Sequence, residues 1–86
     1  MSKPDRKPKY PLVLVNWEDS AAEGKWKEAS EYKTRMPLMM QSVGYKLLDD
    51  KKRLILLQSI CHENDVVSDS ITIPRGCVKS IRKLKQ

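Results

Sequence analysis

The sequence predicts a small, mostly β domain in which about five short strands close into a barrel. The chain has 86 residues, which is the size of a single domain. Hydrophobic residues make up 40% of it, which is typical of a chain that folds around a core rather than of a disordered one. After residue 37, short apolar runs alternate with polar turns. Short antiparallel strands in so small a domain avoid unpaired edges by closing on themselves, which favours a barrel.

The composition excludes several classes of protein. Charged residues make up 33% of the chain, and no apolar run approaches the roughly 20 residues that span a bilayer, so a transmembrane helix is excluded. No apolar stretch follows the basic N-terminus, which predicts a protein without a signal peptide in the cytoplasm. Two cysteines cannot form a dense disulfide framework, so we expect free thiols in a reducing compartment.

The N-terminal third divides into an arm, a strand and an excursion. Residues 1–10 hold two prolines and five charged residues, which predicts a mobile basic arm in front of a single domain at residues 11–86. Four consecutive apolar residues, two of them valines, predict a first strand at residues 11–17. Residues 18–36 are polar and end at Pro37, which predicts an irregular, partly helical excursion between the first two strands.

A hairpin is predicted next. The apolar stretch at residues 38–48 and the run at residues 53–60 are separated by an acidic and basic turn, Asp49-Asp50-Lys51-Lys52. Gly44 lies inside the first of these strands, where a glycine often marks a bulge or a close approach of two backbones.

The C-terminal third predicts a polar loop at residues 61–70 and a short alternating strand at residues 71–73. Pro74 ends that strand because proline has no N–H for a ladder. Residues 77–84 place Val78, Ile81 and Leu84 three apart, a spacing that suits a helix or a bulged strand, and both remain open. The most apolar stretches predict a core that contains Leu54, Leu56, Ile73 and Ile81.

The order of short motifs resembles two groups of proteins. A strand that ends at a proline, a tight helical turn and a closing strand resemble the last part of SH3-like barrels. The wider layout resembles small uncharacterised proteins of bacteriophages and prophages, over about residues 12–84. The matching residues are Trp17-Glu18-Asp19, Trp26, Ser42-Val43-Gly44-Tyr45, and Ile73-Pro74 with Val78 and Ile81. The resemblance implies a five-stranded SH3-like barrel and a phage setting, and it carries no established activity.

The net charge of +6 is concentrated at the two ends of the chain. Residues 1–10 carry a net +3 and residues 75–86 a net +5, whereas residues 11–74 carry a net −2. Basic ends are typical of proteins that bind polyanions, although lysines also simply keep small domains in solution. The candidate nucleic-acid-binding residues are Lys3, Arg6, Lys7, Lys9, Lys79, Arg82, Lys83 and Lys85.

Two tryptophans and two methionines are candidate contact residues. Trp17 and Trp26 can form a platform on which bases or peptides stack, or they can plug the open side of the barrel under residues 18–36, which we favour. Met39 and Met40 can form an adaptable contact surface. Strand alternation predicts instead that one methionine lies in the core and the other outside.

Catalytic and metal-binding patterns are scarce. Cys61 and His62 are adjacent, and adjacent side chains on an extended chain point in opposite directions, which disfavours a thiol–imidazole pair. Cys61, His62 and Cys77 lack the spacing of a metal site. The three glycines are isolated, so no phosphate-binding loop is present in the sequence. We therefore predict no enzyme, no cofactor and no metal.

These observations predict a small non-enzymatic binding module of phage type that engages nucleic acid or a host protein that handles nucleic acid. The first alternative is a pure protein-interaction factor or a homo-oligomer that assembles through an edge strand, without nucleic acid. An acidic protein is a further partner that the basic ends suit.

Overall fold

The computed structural model describes residues 9–85, and most of the predicted mobile arm lies outside the described residues. The strands are β1 (Leu12–Asp19), β2 (Leu38–Asp49), β3 (Arg53–Cys61), β4 (Val66–Pro74) and β5 (Val78–Lys83). A single-turn helix, α1 (Ala29–Tyr32), lies between β1 and β2, and a 3-10 turn at Arg75–Cys77 joins β4 to β5. No helix in residues 9–85 is long and apolar enough to cross a membrane.

All five strands belong to one antiparallel sheet in the order β4-β3-β2-β1-β5. The prediction of a mostly β fold is confirmed. The prediction of a closed barrel is wrong, because no ladder joins β4 to β5 within residues 9–85. The reason is that β4 pairs with β3 along its whole length and the shorter β5 pairs with β1, so the two outer strands do not pair with each other. Both outer strands therefore keep a free edge.

One face of the sheet holds the core. Alternate residues of β1 point inward, so Val13, Val15 and Trp17 are buried while their neighbours are not. They pack with Leu54 and Leu56 of β3 and with Ile73 of β4. The core prediction is right for these three residues of β3 and β4. Ile81 is only partly buried, because β5 is an edge strand that covers one side of the cluster.

The turn between β2 and β3 is fixed by one carboxylate. Asp50 Oδ1 accepts hydrogen bonds from the backbone N–H groups of Lys52 at 2.8 Å and Arg53 at 2.9 Å. The hydrogen bonds from Arg53 and Lys52 favour the ionised form, so the pKa of the Asp50 carboxyl lies below its ordinary value. The folded state is therefore stabilised at neutral pH, and this contribution is lost as the pH falls through the lowered pKa.

The C-terminal elements differ from the prediction in one place. The loop predicted at residues 61–70 is wrong in its second half, because β4 begins at Val66 and pairs with β3 as far as Cys61. The turn between them is only a few residues long, and it uses a left-handed backbone at Asp65, where φ is 56°. Of the two alternatives for residues 77–84, a helix or a strand, the strand is right, because β5 occupies this segment.

Truncation of core residues tests this assignment. We expect Leu56→Ala and Ile73→Ala each to lower the free energy of unfolding by about 2–5 kcal/mol, because both side chains are buried. Ile81→Ala should cost less than either, since its side chain is only partly covered. Chemical denaturation of the three variants measures the order, and a larger loss at Ile81 would contradict the placement of the core.

Gly44 offers a second test. A Cβ at this position would lie 2.9 Å from the Leu57 carbonyl oxygen and 3.1 Å from the Leu56 Cβ. Gly44→Ala must therefore push β3 away from β2, and we expect a loss of about 1–3 kcal/mol. Gly76→Ala is the matched control, because nothing lies within 4 Å of its added Cβ. Equal thermal midpoints for the two variants would show that the close approach carries no energetic weight.

Candidate functional site

The predicted basic residues of β5 do not share one face. Lys83 pairs with Val13 on the core face, and Arg82 pairs with Leu14 on the opposite face. A bulge leaves Lys79 as the extra residue of β5, and its Nζ lies 3.4 Å from the Glu18 carboxylate. Strand alternation thus separates the charges that the sequence places close together.

The other predicted cations are spread further. Lys9 Nζ lies 3.5 Å from Asp65 Oδ2 at the tip of the β3–β4 hairpin, and both side chains are exposed. Lys85 is exposed beyond the end of β5, and Lys3, Arg6 and Lys7 lie outside the described residues. Exposed ion pairs contribute about 0–1 kcal/mol, so the pairs at Lys9 and Lys79 reduce the local charge more than they stabilise the fold.

The two tryptophans do not act together. Trp17 is only 8% exposed and lies in the core, where its indole Nε1–H donates to Ser42 Oγ at 3.0 Å. Trp26 is fully exposed, at 102%, on the connection between β1 and β2. The interpretation of both tryptophans as plugs is therefore wrong for Trp26, because the excursion turns it away from the sheet.

The excursion around Trp26 is held by ion pairs rather than by apolar packing. Glu23 contacts Lys27 at 2.7 Å and Arg35 at 3.0 Å, and the Lys27 ammonium lies 5.8 Å from the ring centre of Tyr32. Tyr32 Oη donates to the Lys25 carbonyl. An exposed indole, a second aromatic ring and neighbouring lysines are the parts from which stacking sites for single-stranded nucleic acids are built.

The candidate catalytic and metal-binding residues do not come together in the structure. Cys61 is exposed at the end of β3, and Cys77 is half-buried at the opposite end of β4. Within residues 9–85, no cluster of three or more His, Cys, Asp or Glu side chains could hold a metal ion.

The sheet contains a fork that the sequence did not reveal. The ladder between β2 and β3 runs from Asp49–Leu54 to Tyr45–Leu57 and ends there. Beyond that point residues 38–44 of β2 pair only with β1, and residues 58–61 of β3 pair only with β4. We call the space between residues 38–44 and the hairpin at residues 58–71 the open cleft.

Exposed large apolar side chains are found on both strands: Leu38, Met39, Met40 and Val43 on β2, and Val66, Val67 and Ile71 on β4. Val43 and Ile71 line one pocket, whereas Val67 lines a separate depression together with Leu47 and Ile55. The prediction that one of Met39 and Met40 is buried is wrong: Met40 pairs with the core residue Trp17, but both methionines are exposed, because the ladder between β2 and β3 has ended before this point and β3 does not cover them. Contiguous exposed apolar residues mark interaction surfaces in soluble proteins. An available signal was the absence of charge from residue 36 to residue 45.

The base of the open cleft is a pocket of about 400 Å³. Its walls include Val43, Leu57 and Ile71, with Ser42, Gln58 and Asp69 as polar members. Asp69 has a left-handed backbone, with φ of 57°, inside β4. This conformation interrupts the regular pleat of the hairpin beside the pocket.

The backbone of β2 presents hydrogen-bonding groups to the cleft. The Lys46 N–H donates to the Pro11 carbonyl at 2.8 Å, on the side of β1. Backbone groups alternate along a strand, and the register with β1 continues to Leu38, so Met40 and Ser42 also face β1. Met39, Gln41 and Val43 consequently direct their N–H and C=O groups toward the open cleft.

The charge at the cleft has the opposite sign to that of the whole chain. Residues 38–43 carry no charged side chain, and residues 58–71 carry Glu63, Asp65 and Asp69 without a lysine or arginine. Of these acids, Asp69 lines the pocket at the base of the cleft, whereas Asp65 lies against Lys9.

Comparison with protein-family models, with curated proteins and with solved structures gives no match for this chain.

Amide hydrogen exchange tests the fork. We expect slow exchange at Met40 and Ser42, whose N–H groups bond to β1, and fast exchange at Gln41 and Val43, whose N–H groups face the cleft. Residue-resolved exchange by NMR measures this two-residue alternation. Uniform protection from residue 39 to residue 43 would mean that another element pairs with this edge of β2.

Proposed function

We propose that this chain is a non-enzymatic binding module that takes a protein partner at the open cleft. The exposed large apolar side chains along residues 38–43 of β2, with Ile71 across the pocket from Val43, carry this proposal. They favour the protein-interaction alternative over the nucleic-acid reading, because they follow one another along one strand, whereas the basic residues of β5 are divided between two faces.

The chemistry of the arms suits a protein partner. Met39 and Met40 have flexible, polarizable side chains that adapt to different apolar partners. The free backbone groups of β2 add directional hydrogen bonds, which apolar contact alone does not provide. Burial of the methionine side chains would provide affinity, and hydrogen bonds to the backbone of β2 would fix the orientation of the partner.

Nucleic acid is the second candidate, and the net charge of +6 favours it. Arg82, Lys83 and Lys85 are exposed basic residues at the C-terminal end of the described chain, and Trp26 offers an exposed ring for stacking. In this reading the basic end of the sheet binds phosphates without reading sequence.

The finer aspects of fold and setting belong to the same proposal. A strand ending at Pro74, a 3-10 turn and a last strand support an SH3-like arrangement of the open sheet. The resemblance to phage-encoded proteins suggests a phage setting, with the host cytoplasm as the compartment.

A pull-down with and without nuclease separates the two candidates. We expect the wild type to capture a protein from the host lysate after nuclease treatment, and the double variant Met39→Gln/Val43→Thr to lose it, because Val43 lines the pocket and Met39 is exposed on the same strand. Lys52→Gln, at the other end of the β2–β3 hairpin, is the control and should retain the partner. Capture that disappears with nuclease, or that survives in the double variant, would contradict the proposal.

Salt dependence tests the nucleic-acid candidate. If the C-terminal end binds duplex DNA, Arg82→Ala should reduce the magnitude of the log–log salt slope by roughly 0.9, the value of one phosphate contact. Lys79→Ala should reduce it less, because Glu18 already shares that charge. Fluorescence anisotropy at several salt concentrations gives both slopes, and the absence of binding to DNA and RNA at low salt would exclude this candidate.

A further inference from the structure

We propose that a second pocket, at the other end of β2 from the open cleft, binds a small organic anion. The apolar part of this ligand lies on Val13 and Ile81, and its carboxylate lies between Lys46 and Lys83. The inference goes beyond the proposed function, because it concerns a different surface and a different class of ligand.

Three neighbouring strands form this pocket, which has a volume of about 350 Å³, a size that suits a small molecule. It is lined by Pro11 and Val13 at the start of β1, Lys46 and Asp49 on β2, and Ile81 and Lys83 on β5. We call it the lysine pocket. The Lys46 N–H donates to the Pro11 carbonyl at 2.8 Å, and Val13 pairs with Lys83, so regular ladders hold its walls in place.

The two lysines occupy positions on the face of the sheet that holds the core. Lys46 lies opposite Leu56 in the ladder between β2 and β3, and Lys83 lies opposite Val13 in the ladder between β1 and β5. Both partners belong to the buried core, and residues directly opposite each other in an antiparallel ladder point to the same face. Two cations therefore stand at the end of the core, where the alternation of the strands would otherwise place apolar side chains.

The floor between the lysines is apolar. Val13 is only 2% exposed, and Ile81 is partly buried against the same core cluster. Pro11 is half-buried beside them and carries no N–H group. A hydrocarbon or aromatic group that settles on this floor extends the core and removes apolar surface from water.

The charge in the lysine pocket favours an anion. Among residues 9–85, no carboxylate forms an ion pair with Lys46 or Lys83. The acidic residue that lines the pocket, Asp49, is already engaged, because its Oδ1 accepts a hydrogen bond from Arg75 Nε–H at 2.9 Å. A carboxylate between the two ammonium groups would receive charge-assisted hydrogen bonds, which are stronger than neutral ones.

The geometry of the sheet lets both lysines reach one carboxylate. β1 lies between β2 and β5, and Lys46 is two positions along β2 from Gly44, the residue opposite Val13. Strand spacings of about 4.8 Å and a rise of about 3.3 Å per residue put the backbones of the two lysines roughly 12 Å apart. Each lysine has a flexible four-carbon stem, so the two ammonium groups can approach the same group from opposite sides.

Three small probes test the inference on the full chain by residue-resolved NMR. Hexanoate carries the charge and the apolar chain, acetate lacks the chain, and hexanamide lacks the charge. We expect hexanoate to bind roughly tenfold more tightly than either of the others, because each of them loses one of the two interactions. Its shifts should map to the amides of Val13, Lys46, Ile81 and Lys83.

Variants assign the charge contribution. Lys83→Gln and Lys46→Gln should each weaken hexanoate binding roughly fivefold, and Lys83→Arg should restore most of the affinity, because it keeps the charge. Arg82→Gln is the matched control, since Arg82 is the neighbouring cation and lies on the opposite face of β5. It should bind hexanoate as the wild type does. Thermal midpoints close to that of the wild type show that these variants keep the fold.

The contradicting outcomes are specific. Equal affinity for hexanoate and acetate, or for hexanoate and hexanamide, overturns the inference, and so do shifts that map away from the lysine pocket. Equal losses in Lys83→Gln and Arg82→Gln would show only a general attraction to positive charge and would overturn it as well. Inorganic phosphate that binds the same lysines more tightly than hexanoate would assign them to the phosphate contacts of the nucleic-acid candidate instead.

The cleft variant separates this inference from the proposed function. Met39→Gln/Val43→Thr changes the open cleft and no residue that lines the lysine pocket, so it should bind hexanoate as the wild type does. Loss of hexanoate binding in this variant would contradict the placement of the site. Failure of the pull-down leaves the lysine pocket standing, and failure of the hexanoate measurement leaves the cleft standing.

Discussion

The close approach of two backbones at Gly44 is the constraint on which the rest of the structure depends. The Leu57 carbonyl lies so near this residue that a side chain would collide with it. On one side of this point β2 and β3 form a ladder, and on the other side they separate. The two strands can therefore separate while β2 continues as one strand paired with β1.

The core lies where β2 and β3 are paired, and the cleft lies where they separate. Where β2 and β3 are paired, the inner face collects Val13 from β1, Leu54 and Leu56 from β3, and Ile73 from β4. Where they separate, each strand keeps one partner, and apolar residues that a third strand would cover are exposed. The chain thus divides its 40% of hydrophobic residues between a small core and an external surface.

Local patterns predicted local structure well. The first strand, the turn at residues 49–52 and the stop at Pro74 are each determined by neighbours in the sequence. The predictions were wrong where residues distant in the sequence determine the structure. Nothing local distinguishes Met40 in an uncovered arm from a methionine in a core, and nothing local shows that Val66 and Val67 pair with β3 rather than lie in a loop. The fork itself depends on which strands meet, and no single segment encodes that.

The candidate site shows the same division. The sequence identified the basic residues of β5, but the bulge at Lys79 and the alternation of Arg82 and Lys83 depend on their register with β1. Trp17 and Trp26 have the same chemistry and opposite environments, because one lies in a ladder and the other in the excursion. The cleft could be suspected only from an uncharged stretch, which fits a buried strand equally well.

The hairpin beyond Leu57 affects how the molecule unfolds locally and aggregates. Two strands without a third are marginally stable in water, so this ribbon opens at a lower free energy than the five-stranded part. Its uncharged valines and isoleucine would then be released as a flexible segment of high β propensity, while the core at Leu54 and Ile73 stays folded. Such partial opening is a route by which native proteins aggregate under conditions that leave their overall stability intact. The acids at positions 63, 65 and 69 oppose this aggregation, because their like charges repel one another when two copies of the ribbon approach.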